Sequence, residues 1–156
     1  GQYESRPVMP SAFQNNVIRL IARSPLHSLV SKATVLLTYN GVKTGTEYTI
    51  PVNYIYEDND HLLILSHTHR TWWRNFRGGA PVTVRLAGRD FDAEAEAIEE
   101  PEALRAALLT MLRKFGAYQR IFEMYLDSEG EPLRPEVFDA FVQTKVAVRV
   151  SLPSSE

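Results

Sequence analysis

Two segments of this sequence hold the residues best suited to chemistry. The first, Asn40-Gly41-Val42-Lys43-Thr44-Gly45-Thr46, sets glycines, a lysine and hydroxyls between two runs of strand character. Successive backbone N–H groups in such a loop can form a nest for an anion, with the Lys43 ammonium as a point charge and Thr44 as a further donor. The glycine spacing is not that of a Walker loop and no helix follows, so hydrolysis of nucleoside triphosphates is not indicated. The same residues also read as a hairpin turn carrying a solvated lysine.

The second segment runs from Ser66 to Arg77 and interleaves Arg70, Arg74 and Arg77 with Trp72, Trp73 and Phe76. Guanidinium groups pair with phosphate or carboxylate, and indoles offer flat faces to a ring. Tryptophans in so short a stretch also serve as core plugs, and at least one of the two is expected in the core. Between His61 and Arg89 there is no Asp or Glu, although the whole chain has a net charge of -2. That local positive field points to a small anionic ligand, and not to nucleic acid, which needs a broadly basic face.

Other chemistries find less support. His67 and His69 share a face of an extended chain, but no carboxylate or thiol in the segment completes a metal set, and no metal is expected. There is no cysteine, hence neither a disulfide nor a thiolate nucleophile. A Gly-x-Ser-x-Gly elbow is absent, and no pair of glutamates stands out from the surface-like acids of the last third.

The elements that must position these groups follow from hydrophobic period. Ser11 caps a helix to about Ala22 with Phe13, Val17, Ile18 and Ile21 on one face, and Ser24-Pro25 starts a second to about Ser31. Strands are expected over Thr34 to Tyr39, Tyr48 to Tyr56 and His61 to Ser66, the last apolar enough for burial on both faces. In the middle strand Tyr48, Ile50, Val52, Tyr54 and Tyr56 share a face. Thr71 is placed to cap a short helix from Trp72 to Arg77 that ends at Gly78-Gly79. Pro81 to Ala87 and Phe91 to Ala97 alternate as a hairpin with one wet face. Helical spacing begins at Pro101 and resumes over Tyr118 to Leu126 and from Pro135 to about Val142, before a final strand from Thr144 to Leu152.

The sum is an α+β chain, mainly β: a small antiparallel barrel of about six strands with helices before, within and after it. We expect a single domain, with N-terminal helices over 1–32, barrel strands over 33–98, helices over 101–143 and a closing strand over 144–152. No apolar run approaches the roughly 20 residues that cross a bilayer, and the first residues are polar, so a cytoplasmic protein is expected.

These motifs bring a resemblance into view. From about Pro25 to Ala97, and more loosely to the last strand, the chain resembles the deazaflavin-dependent nitroreductase family of the flavin-binding split β-barrel superfamily. Leu36-Leu37-Thr38 and Gly41-Val42-Lys43-Thr44-Gly45 look like the family's strand and Gly-Arg-Lys-Ser/Thr-Gly loop, with Pro51 at its proline. Ser66 looks like its serine after the third strand. Trp72, Asn75 and Pro81-Val82-Thr83-Val84 resemble its Trp-x-x-Asn-Leu and Pro-x-Val-x-Val patterns, and Tyr118-Gln119 resembles a Tyr-Gln on its substrate side.

The resemblance implies a pyridoxamine-phosphate-oxidase-like, FMN-binding type of split barrel that holds coenzyme F-420, or else FMN. Lys43, Thr44, Gly45, Pro51, Arg70, Trp72, Trp73, Arg74 and Asn75 would bind the cofactor. Ser66 and Tyr118 would line the place where hydride passes to a quinone, a nitro compound or a similar acceptor. A homodimer is implied as well. The chain departs from the pattern at Val42 and Tyr48, where the family has arginines, and at Phe115 and Ile121, where it has tyrosines. Arg70 and Arg74 are placed to restore the missing charge. The departures also keep open a non-catalytic split barrel that binds a fatty acid, haem or a tetrapyrrole.

Overall fold

A computed structural model describes residues 34–154, and the helices expected over 11–31 lie outside the described residues. Seven strands form one sheet: β1 Thr34–Asn40, β2 Glu47–Asn53, β3 Ile55–Asp58, β4 His61–His67, β5 Ala80–Leu86, β6 Arg89–Ile98 and β7 Lys145–Ser151. Their order is β2-β1-β5-β6-β7-β4-β3, and every neighbouring pair is antiparallel. A 3-10 helix, Trp72–Phe76, lies between β4 and β5. Three α-helices precede β7: α1 Pro101–Lys114, α2 Ala117–Phe122 and α3 Pro135–Gln143.

The two edge strands of the sheet, β2 and β3, are consecutive in the chain and meet at Tyr54, so the sheet must curl until its edges approach. This corner corrects the expected single strand from Tyr48 to Tyr56 and raises the count from about six to seven. The physical reason is a change of partner, since β2 pairs with β1 and β3 with β4. The faces change with it. Tyr54 is buried in the inner core and Ile55 in the outer one, while Tyr56 points out with 46% of its surface exposed.

The sheet is covered on both faces. Leu37, Ile50, Leu62, Ile64, Val84 and Val148 fill the concave side together with Trp72, Trp73 and Phe76 of the 3-10 helix. Leu63 and Ala147 face the other way, onto Leu104, Leu108, Leu112 and Phe138 of α1 and α3. The expectation that the third strand is buried on both faces therefore holds for β4. Each fully buried aliphatic side chain contributes about 1.5–3 kcal/mol of transfer free energy.

Local signals set the helix limits. Pro101 opens α1, and the Glu100 carboxylate accepts from the Glu102 and Ala103 N–H groups at 3.1 and 2.8 Å, with Arg113 and Lys114 in the last turn. The helix expected to reach Leu126 stops at Phe122, because Glu123 takes a left-handed conformation (φ 55°) and the Met124 N–H turns back to the Gln119 carbonyl. No helix among the described residues is long and apolar enough to cross a membrane.

Candidate active site

β3 pairs with β4 only opposite His61 to Leu63, so from Ile64 to His67 strand β4 has β7 on one side and an open edge on the other. Across that gap runs β2. A cavity of about 220 Å³ fills the split, walled by Ile50, Pro51, Val52 and Asn53 on one side and by Leu65, Ser66 and His67 on the other, with Arg70 and Trp72 closing it. A second hollow, of about 170 Å³, lies at the β1–β2 loop. Gly41 to Thr44 and Tyr48 form one wall, and Thr71, Arg74 and Asn75 form the other. The two cavities thus share β2 and the 70–75 segment as walls.

The buried polar side chains among the described residues are Ser66, Asn75 and Lys145, and all three belong to this region. Burying such groups is unfavourable unless they are hydrogen-bonded, and each is. The Trp72 indole N–H donates to Ser66 Oγ at 3.0 Å. Asn75 Oδ1 accepts from the Val42 N–H at 2.9 Å and its Nδ2 donates to the Trp72 carbonyl at 2.9 Å, which pins the lysine loop to the 3-10 helix. Lys145 Nζ lies 2.9 Å from His67 Nδ1.

Both tryptophans are core residues. The Trp73 N–H donates to the His67 carbonyl at 2.9 Å, and the Arg74 and Arg77 guanidinium groups lie over its ring at 5.3 and 5.0 Å. Thr71 does not cap the 3-10 helix as expected: its side chain makes no capping bond. Its Oγ1 is instead buried without a hydrogen-bond partner among the described residues, beside the Lys43 hollow.

The stretch that lacks acids in sequence does not lack them in space. Glu99 binds Arg77 through two contacts of 2.8 and 3.0 Å, and Asp90 binds Arg85 at 3.0 Å. Lys43, Arg70 and Arg74 have no carboxylate partner among the described residues, and Arg74 reaches only the Thr68 carbonyl, at 3.5 Å. Those three cations carry the positive field of the two cavities. His67 and His69 do come together, their rings stacked at 5.4 Å. Burial, assisted by the charges of Lys145, His69 and Arg70, holds His67 below the usual histidine range.

The structure therefore gathers Lys43, Thr44, Arg74 and Asn75 around one hollow and Pro51, Ser66, Arg70 and Trp72 around the other. Gly45 lies outside both linings and shapes the loop, with φ of 74° and its N–H on the Gly41 carbonyl at 2.8 Å. Tyr118 is not brought to Ser66. It is buried in the outer core between Phe115 and Phe122, where desolvation pushes its hydroxyl above the usual tyrosine pKa. Lys145 escaped the sequence reading, because it reaches His67 only through the register of β4 and β7, 78 residues along the chain.

Curled sheet, split edge and cationic loop define a protein of the split-barrel class. Residues 17–125 match the family described as F420H(2)-dependent quinone reductase, and the chain belongs to that family. Among solved structures it is similar to HutZ, the heme storage protein from Vibrio cholerae, with a TM-score of 0.51 and 14% identity over 91% of this chain and 92% of that one. A domain-swapped dimer gives a TM-score of 0.50 and 14% identity over 90% of this chain and 97% of the other. An F420 reductase gives 0.43 and 15% identity over 84% and 95%. The first two likenesses establish the fold alone. No curated protein matches the sequence.

A phosphate-bearing flavin-like group, F-420 in this family, fits the donor set. Lys43 and Arg74 offer charge that no carboxylate among the described residues ion-pairs directly, the orphaned Thr71 hydroxyl is a ready donor or acceptor, and the split beside Trp72 and Pro51 adjoins them.

Proposed function

We propose that this chain is a cytoplasmic deazaflavin-dependent reductase that passes hydride from reduced coenzyme F-420, with FMN as the second candidate, to a quinone, nitro compound or similar small acceptor. The observation that carries the reading is the convergence of Lys43, Arg74 and the unpartnered Thr71 hydroxyl on one hollow next to the split that holds Ser66. Bound there, the coenzyme supplies the hydride. The protein supplies position and field.

Lys43 and Arg74 would hold the phosphate, with Thr44 and Thr71 as further hydrogen-bond partners, while Asn75 keeps the loop against the 3-10 helix. Pro51 and Trp72 would flank the ring, with Arg70 at the mouth. Ser66 already accepts from Trp72, so its own hydrogen is available for a developing negative charge on the acceptor. Val42, 69% exposed at the rim, leaves an apolar contact for the partner of a homodimer.

One observation favours a second reading. A third cavity, of about 410 Å³, is lined by Trp73, Leu104, Val142 and Val146 with Arg74, Arg77 and Lys145 against the single acid Glu99. It would suit an anionic apolar ligand such as a fatty acid, haem or a tetrapyrrole, held without catalysis.

Titration of the purified protein with F-420 and with FMN, followed by hydride transfer to menadione, separates the two. Absence of binding to either cofactor at tens of micromolar ends the reductase reading, since even a millimolar dissociation constant is only about 4 kcal/mol. A co-purified lipid or tetrapyrrole, detected by mass spectrometry, would favour the second.

A further inference from the structure

Lys145 is 9% exposed and has no carboxylate partner among the described residues. Its ammonium sits between the Phe141 and Phe122 rings, 4.9 and 5.9 Å from their centroids, and reaches one polar atom, His67 Nδ1. An ammonium has hydrogens to give and no lone pair to receive one. His67 Nδ1 must therefore be the bare acceptor, and the neutral ring carries its proton on Nε2.

His67 also lines the split beside Ser66, and its Nε2 makes no hydrogen bond among the described residues. The surroundings favour the neutral ring: Lys145 faces it from β7, and His69 and Arg70 face it from the loop after β4, with no acid among them. Burial also lowers the pKa of Lys145, which makes its ammonium a readier proton donor than a surface lysine.

We propose that Lys145 and His67 form a proton relay into the Ser66 cavity, with His67 as the catalytic acid and Lys145 as the positioning residue that fixes its tautomer and refills it. The inference rests on the reductase reading. A quinone that takes two electrons and one hydrogen as hydride from the reduced deazaflavin needs one proton more to become a hydroquinone. His67 Nε2–H gives that proton to the quinone oxygen while Nδ1 takes one from Lys145. The imidazole stays neutral in its other tautomer and Lys145 becomes a neutral amine. Once the hydroquinone leaves, water returns a proton to Nε2 while Nδ1 gives its proton back to Lys145, which restores both the ammonium and the starting tautomer.

The relay has two pH limits. Acid converts His67 to imidazolium, which has no lone pair for Lys145, and base removes the proton of Lys145. On the far side of Lys145, Arg74, Arg77 and Glu99 share its cavity and add a net positive field that eases its deprotonation.

The test starts on coenzyme-free protein. In ¹⁵N-labelled protein at neutral pH, His67 should appear as the Nε2–H tautomer, and Lys145→Met should turn it into a mixture containing Nδ1–H. With coenzyme and menadione, Lys145→Met and Lys145→Arg, the latter holding a charge it does not release, should each lose about 10²-fold in kcat. Both should also lose the alkaline limb of the pH profile and keep the coenzyme Kd within about twofold, and His67→Gln should match them. A wild-type Nδ1–H tautomer, or an unchanged profile in both lysine variants, overturns the relay while normal coenzyme binding leaves the reductase reading intact. Failure of the wild type to bind coenzyme overturns both.

Discussion

The Trp72 indole N–H donates to the Ser66 hydroxyl at 3.0 Å, and both side chains are buried. This bond joins the wall of the split to the 3-10 helix six residues on, so the group proposed to face the acceptor is held by the group proposed to flank the ring.

Removing the two ends of this bond has unequal consequences. Ser66→Ala strands a buried indole N–H and should lower stability by about 1–3 kcal/mol. Trp72→Phe removes the donor and leaves a hydroxyl that can meet water in the cavity, so its hydrogen-bond loss is smaller, although it opens space in the core. Urea unfolding of both variants and of the double variant should show a coupling. An S66A midpoint equal to wild type contradicts the assignment.

Charge at the coenzyme hollow is unevenly distributed. Lys43→Ala and Arg74→Ala should each weaken F-420 binding by about tenfold or more, in keeping with about 1.5–3 kcal/mol for a hydrogen bond to a charged group. The loss should shrink at high salt. Arg77→Ala should bind normally, because Glu99 already occupies that guanidinium. Equal losses in all three would mean a diffuse field and no defined phosphate site.

Asn75→Asp keeps an acceptor for the Val42 N–H, loses the donor to the Trp72 carbonyl and adds a negative charge beside Lys43 and Arg74. Coenzyme affinity should fall at least tenfold with the far-ultraviolet circular dichroism unchanged. An unaltered Kd would place the phosphate elsewhere.

The folded protein holds His67 below the usual histidine pKa through burial first and the charge of Lys145 second. The unfolded chain takes up the proton first as pH falls, so this contribution to stability is complete above the ordinary value of about 6.5. It is lost as the pH drops from there through the lower folded value. The urea midpoint should decline across that window in the wild type, and His67→Gln should flatten the decline. An equal slope in both excludes His67 as its source.

Much of this arrangement could be read from residue order. Alternation placed β1, β5, β6 and β7, and Gly41-Val42-Lys43-Thr44 of the loop, with Trp72 and Asn75, came out on the walls of the two cavities. The corner at Tyr54 stayed hidden, because alternation runs unbroken from Ile50 to Tyr56 while the chain exchanges one strand partner for another. Thr71 carried the composition of a cap and became an orphaned hydroxyl. The partners of Arg77 and Arg85 come from the acid-rich run that follows, and the pairing of Lys145 with His67 depends on register across the sheet, which no local pattern encodes.

The last strand of the sheet to be synthesised stands near its middle. β7 bridges β6 and β4, and the hairpin of β3 and β4 has no other bonded neighbour in the sheet. On a ribosome, the half of the pocket that carries Ser66 and His67 must wait unanchored until residues 145–151 have emerged, while the lysine-loop half already has β1, β2, β5 and β6 in hand. Ligand competence thus waits for β7, and a chain cut short before it would expose β4 and β6 as sticky, unpaired edges.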